Sequence, residues 1–236
     1  MKYGICHLSI VPLRAEAADT SEMVTQVLYG ETFKVLESRK KWSRIRLQFD
    51  AYEGWIDNKQ FQFISEDAYY ELNGKIPHYV SNLIDVITTD EHQLVSVPIG
   101  CNIAHAPFLN HSFEGSTITG AQPKKHIVES ALLYLNAPYL WGGKTPFGID
   151  CSGFSQMCYK LNGYSLQRDA SQQACQGEPL SFIEESEPGD LAFFDNAEGA
   201  ITHVGIIMKD NYIIHAHGKV RIDRIDHTGI FNYDKR

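Results

Sequence analysis

Apolar and polar positions alternate along the first quarter of the chain in the manner of short β-strands. In VTQVLYGETFKVLES (24–38) the alternation turns at Gly30 and Glu31. In KWSRIRLQFD (41–50) Trp42, Ile45, Leu47 and Phe49 stand among basic and polar partners, and YEGWI (52–56) turns into a last short strand. Strands about ten residues apart with glycine turns predict a small barrel over 1–64. Residues 65–78 are polar, contain Pro77 and read as a connector. The β texture returns in SNLIDVITTD, QLVSVPIGCNIAH and GSTITG, so 65–122 reads as that connector followed by a second small β module.

The period changes at Pro123. In KKHIVESALLYLN, Ile127, Val128, Ala131, Leu132 and Leu135 recur at helical spacing until Asn136 and Pro138 stop the pattern. In DCSGFSQMCYKLNG, Phe154, Met157, Cys158 and Leu161 share one helical face, and Asn162–Gly163 form a C-cap. DLAFFD, THVGIIM, NYIIHAHG and KVRIDRID then read as strands. Residues 123–236 are therefore expected to be α+β, helices first and an antiparallel sheet after.

Composition narrows the function. The chain has 236 residues, 43% of them hydrophobic, enough for one sizeable core and smaller ones. With 21 Lys and Arg against 29 Asp and Glu, its formal net charge of -8 argues against nucleic acid as a partner. No apolar run reaches the roughly 18 residues of a membrane span, and the N-terminus makes a poor signal peptide. As written the chain is expected in the cytoplasm, or outside it if a leader has been removed. Five cysteines without a Cys-x-x-Cys pair imply neither a structural zinc site nor a disulfide framework.

Cys151 stands in GIDCSGF, where the second helix begins. The N–H groups and partial positive charge of a helix start favour a thiolate and can hold an oxyanion. Gly153 beside it is expected to let a substrate backbone approach. The alternative is a buried structural cysteine. Such a thiol needs a base, and the base an orienting partner. His203 opens THVGIIM and His215 lies on the next strand, so Cys151, His203 and His215 form a candidate catalytic set. His217 falls on the same strand face two residues on, and spacing does not separate it from His215. A Cys/His/His metal site is the other alternative, which lacks a carboxylate or second cysteine to complete it.

Six segments from Pro138 onward, PYLWGG, DCSGF, RDASQQ, PGDLAFF, THVGIIM and YIIHAHG, stand in an order that resembles the NlpC/P60 family of papain-like cysteine peptidases. The β modules ahead of them are similar to bacterial SH3-like domains. The whole resembles the γ-D-glutamyl-L-diamino acid endopeptidases of the dipeptidyl-peptidase VI type, which cleave peptidoglycan stem peptides after L-Ala-γ-D-Glu. The resemblance implies a papain-like α+β catalytic domain at 123–236 behind two SH3-like barrels. It makes Cys151 the nucleophile, His203 the general base and His215 the polar residue that orients it. It also implies Tyr139 over the site, and Asp169 as receiver of the free amine of a terminal L-Ala, although Asp169 also reads as a helix N-cap. Asp150 and Ser152 would line the same pocket. Tyr52 and Glu22 of the first module are candidates to help bind the amine, Glu22 reading equally as a solvated turn residue. No metal or organic cofactor is implied, and the partners are peptidoglycan-derived peptides met during murein recycling. An amidase or acyltransferase on the same fold, and a non-catalytic cell-wall binder, are the competing classes.

Overall fold

The computed structural model describes residues 2–231, which divide into two compact units, 1–120 and 121–236. In the first unit, β1 (Lys2–Ile5), β2 (Ile10–Arg14), β3 (Met23–Leu28), β4 (Thr32–Ser38), β5 (Trp42–Leu47), β6 (Glu53–Asp57) and β7 (Gln62–Ile64) form one antiparallel sheet. Its order is β3-β2-β6-β5-β4-β1-β7. Alternation decides which side chains go inside. On β5, Ile45 and Leu47 join Val11, Leu13, Val27, Phe33 and Ile56 in the core, while Arg44 and Arg46 point out and reach Glu53 on β6. These exposed ion pairs add little. Ser43, not Trp42, takes the inward place at the start of β5 and donates to Asn58. Trp42 and Phe49 are only half-buried, Phe49 lying past the strand.

The polar stretch after β7 holds a helix, α1 (Glu66–Asn73), where sequence reading expects a connector. Ser65 caps it by accepting from Ala68 N–H, and Glu66 and Asp67 complement the helix dipole. Only Tyr69 and Leu72 are buried, too few for the apolar period to stand out. Beyond it come β8 (Tyr79–Val80), β9 (Ile84–Thr88), β10 (Leu94–Pro98), β11 (Ser112–Phe113) and β12 (Thr117–Ile118), paired as β10-β9-β11 and β12-β8. His105 fastens this segment to the β3–β4 turn and to α1, with Nδ1 2.6 Å from Gly30 O and Nε2 3.1 Å from Leu72 O. Gly30 turns with φ of +80°, and any Cβ there would lie 2.0 Å from the Asn102 carbonyl oxygen.

In the second unit, α2 (Lys125–Leu133) is followed by a two-stranded ribbon, β13 (Lys144–Thr145) and β14 (Gly148–Ile149). Then come α3 (Cys151–Leu161), α4 (Ala170–Gln173) and an antiparallel sheet. Its strands are β15 (Leu191–Asp195), β16 (Ile201–Ile207), β17 (Tyr212–His217), β18 (Lys219–Asp226) and β19 (Gly229–Phe231), in sequence order. The buried face of α2 runs through Ile127, Ser130, Ala131 and Tyr134, so Leu132 and Leu135 stand exposed rather than in the core. The helix expected from 150–163 is α3, with Phe154, Met157, Cys158 and Leu161 all buried. Gly163 ends it with φ of +81°. The fold is the α+β arrangement read from the sequence, with β19 an added edge strand.

Candidate active site

The ribbon β13–β14 delivers the chain to Asp150, whose side chain caps α3 by accepting from Gly153 N–H at 2.6 Å. Asp150 also accepts from Gly142 N–H at 2.8 Å. A buried arginine completes its shell. Arg168, 1% exposed, donates Nη1–H to Asp150 Oδ1 at 3.0 Å and Nη2–H to Oδ2 at 2.6 Å. The same Nη1 reaches Ser152 Oγ at 2.9 Å. Such a two-pronged pair is the strongest geometry open to a carboxylate. Asp150 and Ser152 are thus committed to the cap and the arginine. A Cβ on Gly153 would sit 2.3 Å from the Gly143 carbonyl oxygen, so this glycine serves the close approach of its own chain, not of a substrate backbone.

Cys151, the first residue of α3, is 7% exposed and lies against Val204 and Ala170. Val204 follows His203, and backbone hydrogen bonds from Val204 and Ser152 reach the sulfur. The sequence expectation of a lowered thiol pKa does not hold. Burial pushes the thiol up and the Asp150 carboxylate adds to it, outweighing those backbone bonds and Arg168. The cap that begins the helix also spends the Gly153 N–H on a carboxylate.

His203 Nε2 lies 2.7 Å from His215 Nδ1, on adjacent strands β16 and β17. The register explains the meeting: His215 is paired with Gly205, two residues after His203 on the same face. A side chain at 205 would crowd His215, since a Cβ there falls 2.9 Å from the His215 Cβ. His215 is buried and His217 exposed, which separates two histidines that spacing leaves equivalent. Burial, and the neighbouring His215 and His217, hold His203 down to about 4.

Two further polar residues back this pair. His215 Nε2 lies 2.9 Å from Asp223 Oδ2 on β18, and Arg221 Nη2–H donates to Asp223 Oδ1 at 2.8 Å. Burial opposes ionisation of Asp223, but the bonds from Arg221 and His215 prevail and hold its carboxyl below the usual range. Neither Asp223 nor Arg168 is among the residues singled out from sequence. Arg168 is visible only as the neighbour of Asp169, and Asp223 sits in KVRIDRID, which reads from the sequence only as a strand.

Tyr139 is half-buried, bridges β14 at Ile149, and feels both Cys151 and Asp150. Burial, then those two groups, push its hydroxyl up to about 12, so it is a proton donor at neutral pH. Asp169 is half-exposed at the N-cap of α4, one residue before the Ala170 that touches Cys151. Its backbone N–H donates to Gln172 Oε1 at 3.1 Å. Tyr52 and Glu22 belong to the first unit. Tyr52 lies against the core of the first sheet, and Glu22 is exposed just ahead of β3. Among the described residues no three His, Cys, Asp or Glu side chains converge as a metal-holding set.

Cys151 touches β16 at Val204, and the neutral imidazole of the preceding residue, His203, is oriented from behind by His215, an arrangement suited to deprotonating a neutral thiol at the moment of attack. Iodoacetamide reacts with thiolate only, so its rate with Cys151 is expected to climb about tenfold per pH unit through neutrality. A rate already flat between pH 5 and 8 would show a preformed thiolate–imidazolium pair instead. Because the base must be neutral, the acid limb of kcat/KM should fall as pH drops through about 4.

Comparison with known proteins shows the family and the fold. The NlpC/P60 family model matches residues 136–234, and that of the bacterial dipeptidyl-peptidase Sh3 domain matches 13–61. The chain is 30% identical over 220 residues to the gamma-D-glutamyl-L-lysine dipeptidyl-peptidase of Bacillus subtilis, covering 81% of this chain and 71% of that one. It is 35% identical over 233 residues to the Bacillus cereus protein of the same name, covering 84% and 68%. Identity to dipeptidyl-peptidase 6 of Lysinibacillus sphaericus is 27% over 240 residues, covering 86% and 83%. The crystal structure of an NlpC/P60 family protein from Bacillus cereus shares the fold, with a TM-score of 0.76 over 98% of this chain and 99% of that one at 18% identity.

Proposed function

We propose that this chain, which belongs to the NlpC/P60 family of cysteine peptidases, hydrolyses the amide between γ-D-Glu and an L-diamino acid in peptidoglycan stem peptides. The substrate in this reading carries a free N-terminal L-Ala, and the reaction serves murein peptide recycling. The observation that carries the reading is Cys151 at the start of α3, against the residue after His203, with His215 hydrogen-bonded behind. The names of the relatives support the bond chosen.

The chemistry follows from the atoms at hand. His203 Nδ1, the ring nitrogen not engaged with His215, takes the thiol proton as Sγ attacks the γ-carbonyl of D-Glu. Backbone N–H groups at the start of α3 and the Tyr139 hydroxyl hold the oxyanion. His203 returns the proton to the departing amine of the diamino acid, leaving an L-Ala-γ-D-Glu thioester on Cys151. It then takes a proton from water, and hydroxide attack releases the dipeptide and the thiol.

Asp169 gives this reading a length gauge. A carboxylate facing the ammonium of L-Ala is a charge-assisted contact that a peptide still joined to glycan, having no free amine, cannot make. L-Ala-γ-D-Glu-L-Lys should therefore be cleaved about 100-fold faster in kcat/KM than its N-acetyl form, and Asp169→Asn should narrow the gap mainly by slowing the free peptide. Equal rates for the two peptides with the parent enzyme would remove the gauge from the account.

A further inference from the structure

The row of polar side chains that begins at His203 does not stop at His215. It runs across three strands, from His203 on β16 through His215 on β17 to Asp223 on β18. We propose that Asp223, clamped by Arg221, is the positioning residue that fixes the protons on both histidines so that His203 presents Nδ1 as a lone pair. The inference rests on the peptidase reading above for its purpose, and on hydrogen-bond geometry for its content.

The argument follows the protons one bond at a time. Asp223 is 3% exposed and is held by two contacts from Arg221, Nη2–H donating to Oδ1 at 2.8 Å and Nε 2.6 Å from Oδ2. An ionised carboxylate can only accept. At 2.9 Å from Asp223 Oδ2, His215 Nε2 therefore carries a hydrogen. A neutral His215 then has a lone pair at Nδ1. At 2.7 Å from that lone pair, His203 Nε2 must donate. His203 is neutral too, so its remaining nitrogen, Nδ1, is unprotonated and able to accept the thiol proton.

Without the carboxylate the chain can run in reverse. His215 would carry its hydrogen on Nδ1 and donate to His203 Nε2. His203 would then hold its own hydrogen on Nδ1 and could not act as base. The orienting role of a second ring nitrogen's partner is general. Here it is relayed through one imidazole to the next. The sheet register builds the row: His215 pairs with Arg221 and Ile213 with Asp223, so Asp223 and His215 are diagonal neighbours on one face. The other titratable ring on that face, His217, stacks beside His215 at 6.3 Å between centroids.

The test is the tautomer itself. Long-range proton–nitrogen NMR on the full chain, labelled at histidine nitrogen, assigns which ring nitrogen bears the hydrogen near neutral pH. His203→Gln and His215→Gln serve as assignment controls. The parent should show Nε2–H for both residues. In Asp223→Asn the amide can donate to His215, so a share of His203 should move to Nδ1–H and kcat should fall about 100-fold with KM nearly unchanged. Asp223→Glu, which keeps an acceptor-only group, should restore the Nε2–H pattern in part. Nδ1–H at His203 in the parent, or an Asn variant with parental tautomers and kcat, would overturn the proposal. If the Asn variant does not fold, the parental spectrum still decides. If the parent shows Nε2–H at both histidines but cleaves no stem peptide, the functional reading fails and the role of Asp223 stands.

Discussion

Cys151→Ala is expected to lower kcat/KM on the stem tripeptide by at least about 10⁴-fold, because every step of the reaction is routed through that sulfur. The fold should hardly notice. The side chain is small, and losing one buried sulfur from a site lined by Val204 and Ala170 costs about 1 kcal/mol. Turnover measured by release of free diamino acid, beside a urea unfolding curve, checks both halves. A variant that keeps a tenth of parental turnover would move the nucleophile elsewhere. A variant that unfolds would make Cys151 a structural residue.

The second large effect falls on stability. Arg168→Leu strands the Asp150 carboxylate, which is buried and points its oxygens at the vacated guanidinium. Removing one partner of such a buried pair is expected to cost about 3–5 kcal/mol, far more than any exposed pair on β5 and β6. Asp150→Asn added to Arg168→Leu should recover part of that loss, since no charge is then left unpaired, while still accepting from Gly153 N–H at the cap. Urea midpoints of the parent, the single and the double variant measure this. A single variant within about 1 kcal/mol of the parent would mean that water replaces the guanidinium at Asp150 at little cost. Activity should fall in both variants, because Arg168 also holds Ser152 beside the nucleophile.

Much of the catalytic unit is legible in the chain because its signals are local. Phe154, Met157, Cys158 and Leu161 set the helix, Asp150 its start and Gly163 its end, and these need only neighbouring residues to read. His203 and His215 are legible as a pair because consecutive strands pair antiparallel, and Gly205 between them leaves the room. What escaped sequence reading depends on distance or on burial. Arg168 meets Asp150 from 18 residues away through the loop before α4. Asp223 lies in a strand of alternating charge, where nothing local tells a buried carboxylate from a solvated one. The direction of the Cys151 shift went the other way because a helix start is a sum of opposing effects. Its N–H groups favour a thiolate, but the capping carboxylate and the loss of water disfavour it more. Helix α1 escaped for the opposite reason, since a helix burying only two side chains leaves almost no period to find.

The most direct measurement is an acid quench in the first turnovers with L-Ala-γ-D-Glu-L-Lys, followed by mass spectrometry of the digested protein. The Cys151 peptide should carry the added mass of L-Ala-γ-D-Glu less water, with free lysine released in step and neither seen in Cys151→Ala. An adduct on any other residue, an adduct of different mass, or lysine released equally by the alanine variant would contradict the account.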